Sequence, residues 1–360
     1  MFNEPRVCIV GPSVDTNYFG GVATHIKNLR SLSCFRDAVV IDPGSRNSNL
    51  KKNILKIIKN IIELRSNVII GKFSHVLVNT SIYPSALIKL FMILAFLPAR
   101  EGMEIYVFFH GGRFQSLNPI FKNILKLLLF PLMAKVKKLL FLSRVQMEGF
   151  CNLFSNCQAG LYANYSTTDE IMEKKLEPVD NILKMLFVGR VVKEKGVYEM
   201  LSAVEKIALE RGSVRLIIVG DGPDLAELIN MNKKIPKNTV NFMGYLTGIE
   251  LEDAYKKADV LILPTYHPEG FPYVIIEAMR AGLPIISTSE GALETLVLDG
   301  VTGFKILPKD VDSIVTAVSK INDNRVLLEE MSQKCHRYFQ DNLSRSAAEK
   351  YYSELIFVSH

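Results

Sequence analysis

The hydrophobic positions of this chain fall into two alternating patterns. Apolar runs that are too short for helices, and typical of strands buried in a parallel sheet, recur through both halves. Longer amphipathic stretches lie between them, as at residues 23–30. This alternation predicts an α/β fold built on parallel sheets. The predicted strands are residues 7–10, 38–41, 76–78, 105–109 and 139–142 in the first half and residues 185–188, 214–219, 241–243, 260–263, 284–287 and 303–306 in the second.

The pattern of strands restarts after a polar segment at residues 173–180, which contains Pro178. A chain of 360 residues is also long for a single domain. We therefore predict two Rossmann-like domains, residues 1–175 and residues 180–342, that face each other across a cleft in which a ligand would lie. A C-terminal helix at about residues 343–360 could pack back on the first domain.

Positive charge is concentrated in the first half of the chain. The net charge is +6, and residues 51–144 contain fifteen basic and only three acidic residues. Isoleucines and leucines interleave with lysines at residues 51–65 and 119–140, but no stretch has the roughly 20 uncharged apolar residues of a membrane span. Such segments are typical of helices on an anionic membrane surface, and ordinary helices that cover a sheet are the open alternative. Exposed aromatic residues do not accompany the lysines, so nucleic-acid binding is not predicted.

The cysteines and the N-terminus bear on the cellular compartment. The five cysteines show no metal-ligand spacing, and their odd number does not suggest a disulfide framework. Residues 1–6 are polar and do not read as a signal peptide. We therefore expect a reducing, cytoplasmic environment, with the protein peripheral at the inner face of the cytoplasmic membrane.

Residues 259–281 carry the clearest chemical signal. An apolar strand stops at Pro264, a loop follows, and a helix opens near residues 270–272 and runs through Met279. A strand, a tight loop and a helix N-terminus together form an anion site. Glu269 and Glu277 are eight positions apart and so lie on roughly one face beside that site. A ligand with both phosphate and hydroxyl groups would suit this arrangement, and two ordinary surface glutamates are the alternative.

Two further candidates follow predicted strands in the first half. Gly20 and Gly21 precede a helix, where they would let the backbone approach a ligand. His110 follows the strand at residues 105–109, at the carboxyl edge where open α/β sheets bind ligands. A glycine pair before a helix is also common in plain turns, and a lone histidine is often structural.

The glycine-rich loops of the second half form a recognisable series. The motifs, in chain order, are Gly189-Arg190-x4-Lys195-Gly196, Gly220-Asp221-Gly222-Pro223, Gly244-Tyr245-Leu246, Glu269-Gly270-Phe271-Pro272 with Glu277-Ala278, and Gly300-x2-Gly303-Phe304. Together they resemble the donor half of a retaining, nucleotide-sugar-dependent glycosyltransferase of family 4, which has the GT-B fold. The resemblance is dense from about residue 185 to residue 308 and thinner in the first half, where Gly20-Gly21-Val22 and His110-Gly111 match.

The resemblance implies a role for each motif. Arg190 and Lys195 would hold the donor diphosphate, Glu269 the hydroxyls of the donor sugar and Glu277 the ribose, while His110 would approach the donor sugar or the acceptor. No metal ligand is implied, and Pro replaces the usual glycine at residue 272, where a first helical turn tolerates it. The predicted catalytic residues are His110, Arg190, Lys195 and Glu269. The predicted donor-binding residues are Gly20, Gly21, Arg190, Lys195, Tyr245, Leu246, Gly270, Phe271, Pro272, Tyr273 and Glu277.

The activity implied by the resemblance is transfer of a hexosyl or N-acetylhexosaminyl group, with retention, from a nucleotide-diphosphate sugar. A UDP-sugar is favoured over a GDP-sugar, and no further cofactor is expected. The acceptor would be a lipid-linked glycan in the biosynthesis of a bacterial O-antigen, capsule or exopolysaccharide. Two alternatives stay open: a non-catalytic nucleotide-sugar-binding subunit, and a GT-B-fold epimerase that would release a free epimerised sugar.

Overall fold

The structure, a computed structural model, describes residues 6–12, 21–43, 50–70, 73–112, 114, 116–154, 158–173, 182–267 and 269–357. The chain divides into two compact units, one of residues 1–167 with 345–360 and one of residues 168–344. Each unit is built on a six-stranded parallel sheet covered by helices. The predicted α/β fold with two Rossmann-like domains is thereby confirmed.

In the sheet of the first unit, the spatial order of the strands reverses at β1. Chain order and spatial order differ there, because β2 and β3 lie on opposite sides of β1. Such a switch point opens a crevice at the carboxyl ends of the two neighbouring strands. The spatial order is β2-β1-β3-β4-β5-β6, with β1 (Val7–Val10), β2 (Val39–Ile41), β3 (His75–Thr80), β4 (Glu104–Phe109), β5 (Val136–Phe141) and β6 (Ala159–Leu161).

Helices of the first unit pack on this sheet through one apolar core. α3 and α4 each begin with a proline, which is compatible with a first helical turn. The side chain of Asn118 accepts a hydrogen bond from the backbone of Ile120 and so caps α4. Inner faces of α2 to α5 bury their apolar residues against the sheet. The helices are α1 (Gly21–Ser31), α2 (Leu50–Ile69), α3 (Pro84–Phe96), α4 (Pro119–Met133) and α5 (Arg144–Cys151).

The pattern of residues 119–140 suggested one basic amphipathic element. The structure instead shows α4 followed by β5. Lys135, between them, donates hydrogen bonds of 3.0 and 2.8 Å to the carbonyl oxygens of Leu94 and Leu97. Lys137 forms an ion pair of 2.9 Å with Glu104. These two lysines are therefore engaged within the unit. In the described part of the chain, no helix has the length and apolar character needed to cross a membrane.

The second unit repeats the arrangement with its own switch point. β8 and β9 lie on one side of β7, while β10 lies on the other. The carboxyl ends of β7 and β10 therefore border a crevice. The spatial order is β12-β11-β10-β7-β8-β9, with β7 (Leu183–Val188), β8 (Val214–Val219), β9 (Val240–Gly244), β10 (Val260–Leu263), β11 (Ile285–Ser287) and β12 (Gly303–Lys305). The helices are α6 (Val197–Arg211), α7 (Leu225–Met231), α8 (Gly248–Lys257), α9 (Tyr273–Arg280), α10 (Leu293–Leu296), α11 (Val311–Asn322) and α12 (Arg325–Tyr338).

The last helix, α13 (Arg345–Phe357), belongs to the first unit. The ring of Tyr352 is buried against aromatic rings of that unit, including Phe35, with 5.5 Å between ring centroids. Glu349 accepts hydrogen bonds of 2.7 and 2.6 Å from the backbone and hydroxyl of Ser33. The division at Thr168 assigns residues 168–173 to the second unit, where the backbone of Met172 donates to the carbonyl oxygen of Arg280.

Candidate functional site

Loops after β7, β8 and β10 touch one another, backbone against backbone, at the carboxyl edge of the second sheet. Gly196 has a φ of +71°, and a Cβ atom there would lie 2.1 Å from the carbonyl oxygen of Pro264. At Gly220, with a φ of +139°, a Cβ atom would lie 1.8 Å from the carbonyl oxygen of Gly189. Only glycine is compatible with both the left-handed backbone and the close approach. These contacts hold the loops of the candidate site in place.

Lys195 and Glu269 form an ion pair at this edge. Lys195 follows β7 and Glu269 follows β10, and their side chains are only 22% and 12% exposed. The buried hydroxyl of Thr265 lies 3.2 Å from the same carboxylate oxygen, and the backbone of Ala292 donates to the carbonyl oxygen of Glu269. The structure therefore brings together two of the predicted catalytic residues, with opposite charges in a partly dehydrated position.

The other predicted residues of this unit lie at the same carboxyl edge. Arg190 is exposed directly after the turn that ends β7, and Tyr245, after β9, is 76% exposed. Pro272 is the N-cap of α9, and among the described residues no side chain caps the helix. Because the N-terminus of a helix carries a partial positive charge, this end of α9 favours an anion. Gly270, Leu246 and Tyr273 are partly buried, and Phe271 is buried.

Glu277 lies further along α9, partly buried, beside a tyrosine of α8. The hydroxyl of Tyr255 donates a 2.7 Å hydrogen bond to its Oε2 atom. Burial raises the pKa of Glu277, and the hydrogen bond from Tyr255 acts in the opposite direction. The hydrogen bond thus holds one oxygen of a partly buried carboxylate on α9.

His110 of the first unit is held by two side chains. Its Nε2 atom lies 2.8 Å from Oδ1 of Asn79, and its Nδ1 atom lies 2.9 Å from the hydroxyl of Tyr162. The amide nitrogen of Asn79 faces the carbonyl oxygens of Val10 and Leu77, each at 3.4 Å, so its oxygen must accept from His110. The network thus assigns the proton of the neutral ring to Nε2. The hydroxyl of Tyr162 then has two acceptors within reach, Nδ1 of His110 and, at 3.3 Å, the carbonyl oxygen of Phe109.

A second histidine, His25, lies directly against His110, with 4.6 Å between ring centroids. Burial lowers the pKa of His25 to about 3, while a hydrogen bond with Asn164 acts in the opposite direction. Burial and the neighbouring His25 lower the pKa of His110 well below its usual value. His110 therefore carries no positive charge at pH 7, and both of its ring nitrogens have partners within the unit. Gly21 begins α1, and Gly20 lies outside the described residues.

Four residues that the sequence patterns did not single out support these groups. Thr265 and Asn79 lie at or just after strand ends, a position that could have marked them. Tyr162 follows the short strand β6 and Tyr255 lies within a helix, and neither carries a local signal. In the part of the chain that the structure describes, no group of three His, Cys, Asp or Glu residues could hold a metal ion.

Residues 168–340, nearly all of the second unit, match the family model of the glycosyl transferases group 1. These residues make up just under half of the chain, and the match assigns this unit to the group 1 glycosyl transferases. An uncharacterized glycosyltransferase of Methanocaldococcus jannaschii is 32% identical over 190 residues, which are 52% of this chain and 46% of that protein. A lipopolysaccharide 1,2-N-acetylglucosaminetransferase of Salmonella typhimurium is 26% identical over 159 residues, 41% of this chain and 42% of that protein. The chain thus spans less than half the length of these relatives.

Similarity to solved glycosyltransferase structures extends over both units. The HepE protein of Anabaena in complex with UDP has a TM-score of 0.74 at 14% sequence identity, with 98% of this chain and 99% of that chain covered. Its complex with UDP and glucose has a TM-score of 0.69 at the same coverage. The chain therefore has the GT-B fold that was predicted from its motifs.

The buried histidines predict a specific dependence of stability on pH. Their pKa values are depressed in the folded state, so their stabilising contribution is present above the unfolded pKa of 6.5 and is lost as the pH falls toward the folded values. Each histidine steepens this loss by up to about 1.4 kcal/mol per pH unit. The variant His25→Phe keeps an aromatic ring in an aromatic surrounding. We expect it to make the unfolding free energy less dependent on pH between pH 6.5 and pH 5, with nearly one proton fewer taken up on unfolding. Denaturant unfolding at several pH values measures this slope, and equal slopes for a folded variant and the wild type would contradict it.

Proposed function

We propose that this protein is a retaining glycosyltransferase that uses a nucleotide-diphosphate sugar, with a UDP-sugar favoured over a GDP-sugar. The observation that carries the proposal is the Lys195–Glu269 ion pair, in which Glu269 precedes the N-terminus of α9, within a unit that matches the group 1 glycosyl transferases. A cation and backbone amides suit a diphosphate, and a carboxylate suits sugar hydroxyls. The UDP and glucose bound to HepE support this kind of donor.

In the proposed reaction, Arg190 and Lys195 stabilise the charge that develops on the nucleotide diphosphate as its bond to the sugar breaks. The acceptor oxygen forms the new bond to the anomeric carbon on the face from which the diphosphate leaves, and a phosphate oxygen of the leaving group takes the proton. Glu269 holds sugar hydroxyls. His110 approaches the donor sugar or the acceptor as a neutral ring and brings no charge. The transferred group would be hexosyl or N-acetylhexosaminyl, the latter being what the named Salmonella relative transfers.

The acceptor in this proposal is a lipid-linked glycan of bacterial surface polysaccharide biosynthesis. The lipopolysaccharide-directed relative supports it by similarity. A lipid-linked acceptor stays at the membrane, so the protein would work as a peripheral protein at the inner face of the cytoplasmic membrane.

The outer surface of α4 supports a membrane location. Ile120 and Leu127 are 71% and 78% exposed, and Ile124 and Phe130 of the same helix are also exposed. α4 contains lysines and no acidic residue. Apolar side chains with neighbouring lysines suit the interface of an anionic bilayer. A second copy of this chain packed face to face would instead bring lysines of like charge together.

Retention is tested by the anomeric configuration of the product. We expect incubation with a panel of nucleotide sugars and an oligosaccharide or lipid-linked acceptor to give a product with the donor's configuration. Proton NMR of fresh product reads the anomer, and an inverted anomer would refute retention. Release of free epimerised sugar without acceptor would favour the epimerase, while nucleotide-sugar binding without turnover would favour a non-catalytic subunit.

Loss of either donor-site cation should slow transfer without preventing folding. Arg190→Ala and Lys195→Ala each remove a charge-assisted contact that contributes about 2–4 kcal/mol in the transition state, a loss of roughly 30- to 1,000-fold. Lys195→Ala also breaks the ion pair with Glu269 and should lower stability by about 1–3 kcal/mol, whereas exposed Arg190 should not. Lys193→Ala, in the same turn, is the matched control. Transfer rates near wild type in both site variants would rule out this donor site.

Membrane docking through α4 is tested by co-sedimentation with anionic vesicles. We expect the double variant Ile120→Ser with Leu127→Ser to lose most vesicle binding, because it removes the exposed apolar surface. Replacing Lys122 and Lys126 by glutamate should weaken binding mainly at low salt, since each basic residue near an anionic surface contributes about 1 kcal/mol. Leu209→Ser, which alters an exposed leucine of the second unit, is the control. Wild-type protein that stays in the supernatant at low salt would contradict docking.

A further inference from the structure

A buried tyrosine of α8 is the hydrogen-bond partner of Glu277. Tyr255 is fully buried, and its hydroxyl donates a 2.7 Å hydrogen bond to Oε2 of Glu277. The same hydroxyl is 3.5 Å from the carbonyl oxygen of Val274, at the outer limit of a hydrogen bond. Burial, together with the charge of Glu277, raises the pKa of Tyr255 well above its usual value. Tyr255 therefore remains a hydrogen-bond donor at all physiological pH values.

The arginine on the same helix as Glu277 pairs with other groups. Arg280 follows one turn later on α9, but its Nε atom donates to the carbonyl oxygen of Glu170 at 2.7 Å, and its Nη1 atom lies 3.2 Å from Glu252. Among the described residues, the only hydrogen bond to the side chain of Glu277 comes from Tyr255. A neutral donor thus fixes one carboxylate oxygen and leaves the other to accept a hydrogen bond from a ligand.

We propose that Tyr255 is a positioning residue that orients the carboxylate of Glu277 toward the ribose of the donor nucleotide. This inference rests on the proposed function, in which Glu277 accepts from ribose hydroxyls. A glutamate side chain has several rotatable bonds, and fixing Oε2 restricts where Oε1 can lie. Tyr255 lies behind the carboxylate in the core of the unit and does not itself touch the nucleotide. Its hydroxyl therefore determines how strictly the site requires a ribose hydroxyl.

Discrimination between ribose and deoxyribose follows from this geometry. A site built to accept a hydrogen bond from a hydroxyl rejects an analogue that lacks it, because the partly buried carboxylate is left unpaired. If the carboxylate can swing away, it finds water instead, and the penalty for the missing hydroxyl falls. Removing the hydroxyl of Tyr255 should therefore weaken nucleotide binding and reduce selectivity for ribose at the same time.

The test compares nucleotide affinities by isothermal titration calorimetry. Wild-type protein is titrated with uridine, guanosine and adenosine diphosphates, and the tightest binder is then compared with its 2′-deoxy and 3′-deoxy analogues. We expect at least one deoxy analogue to bind about tenfold more weakly to the wild type. Tyr255→Phe keeps the buried ring and should bind the parent nucleotide severalfold more weakly, with little remaining preference over that analogue. In transfer assays it should raise the KM for the donor more than it lowers kcat.

Three variants separate positioning from general destabilisation. In the Glu277→Gln background, adding Tyr255→Phe should weaken binding no further, since Tyr255 acts through Glu277. Glu277→Asp shortens the side chain by one methylene, which withdraws the carboxylate from Tyr255 and leaves the buried ring unchanged. We expect it to lose the preference for ribose. It keeps the test possible if Tyr255→Phe folds poorly. Tyr106→Phe is the matched control, because Tyr106 donates a 2.6 Å hydrogen bond to Glu104 in the first unit. It should leave nucleotide affinity unchanged.

The outcomes distinguish this inference from the proposed function. If folded Tyr255→Phe keeps both the nucleotide affinity and the ribose preference of the wild type, Tyr255 is not a positioning residue. The proposed donor site is unaffected by that result. Equal affinity of the wild type for the parent nucleotide and both deoxy analogues also overturns the positioning role. Failure of the wild type to bind any nucleoside diphosphate would overturn both this inference and the proposed function.

Discussion

Backbone contact between loops is the constraint on which the second unit's candidate site depends. Gly196 lies against Pro264, and Gly291, with a φ of +64°, would place a Cβ atom 2.0 Å from the carbonyl oxygen of Glu269. With these glycines, the segments after β7 and β10 come close enough for Lys195 and Glu269 to form an ion pair. The position of the charges is therefore set by main-chain geometry, which a change of neighbouring side chains would alter little.

The two units offer different kinds of polar group. In the second unit, opposite charges lie at the sheet edge, and each is compensated by the other. In the first unit, Asn79, His110 and Tyr162 form a chain of neutral hydrogen bonds beside the buried ring of His25. Charge stabilises phosphate groups strongly, whereas neutral donors and acceptors distinguish hydroxyl patterns without a large cost of dehydration.

Sequence patterns predicted best the bounds of strands that end at a glycine or a proline. β8 and β10 begin and end at the predicted residues, because glycine and proline interrupt their apolar runs. The strand β6 was missed because Ala159–Leu161 is short and pairs only with β5 at the sheet edge. The helix–strand boundary within residues 119–140 was obscured because lysines and leucines continue through it. The contact between Tyr255 and Glu277 joins two helices, and no spacing along one of them could reveal it.

The return of α13 to the first unit has a consequence for how the protein is made. The second unit is one continuous segment, so it can fold as soon as residue 344 has left the ribosome. The first unit begins earlier but lacks the ring of Tyr352 and the hydrogen bond from Tyr106 to the backbone of Leu355 until α13 has been synthesised. Its aromatic core around His25 therefore stays incomplete while the later unit matures. During translation, the half that starts first is completed last.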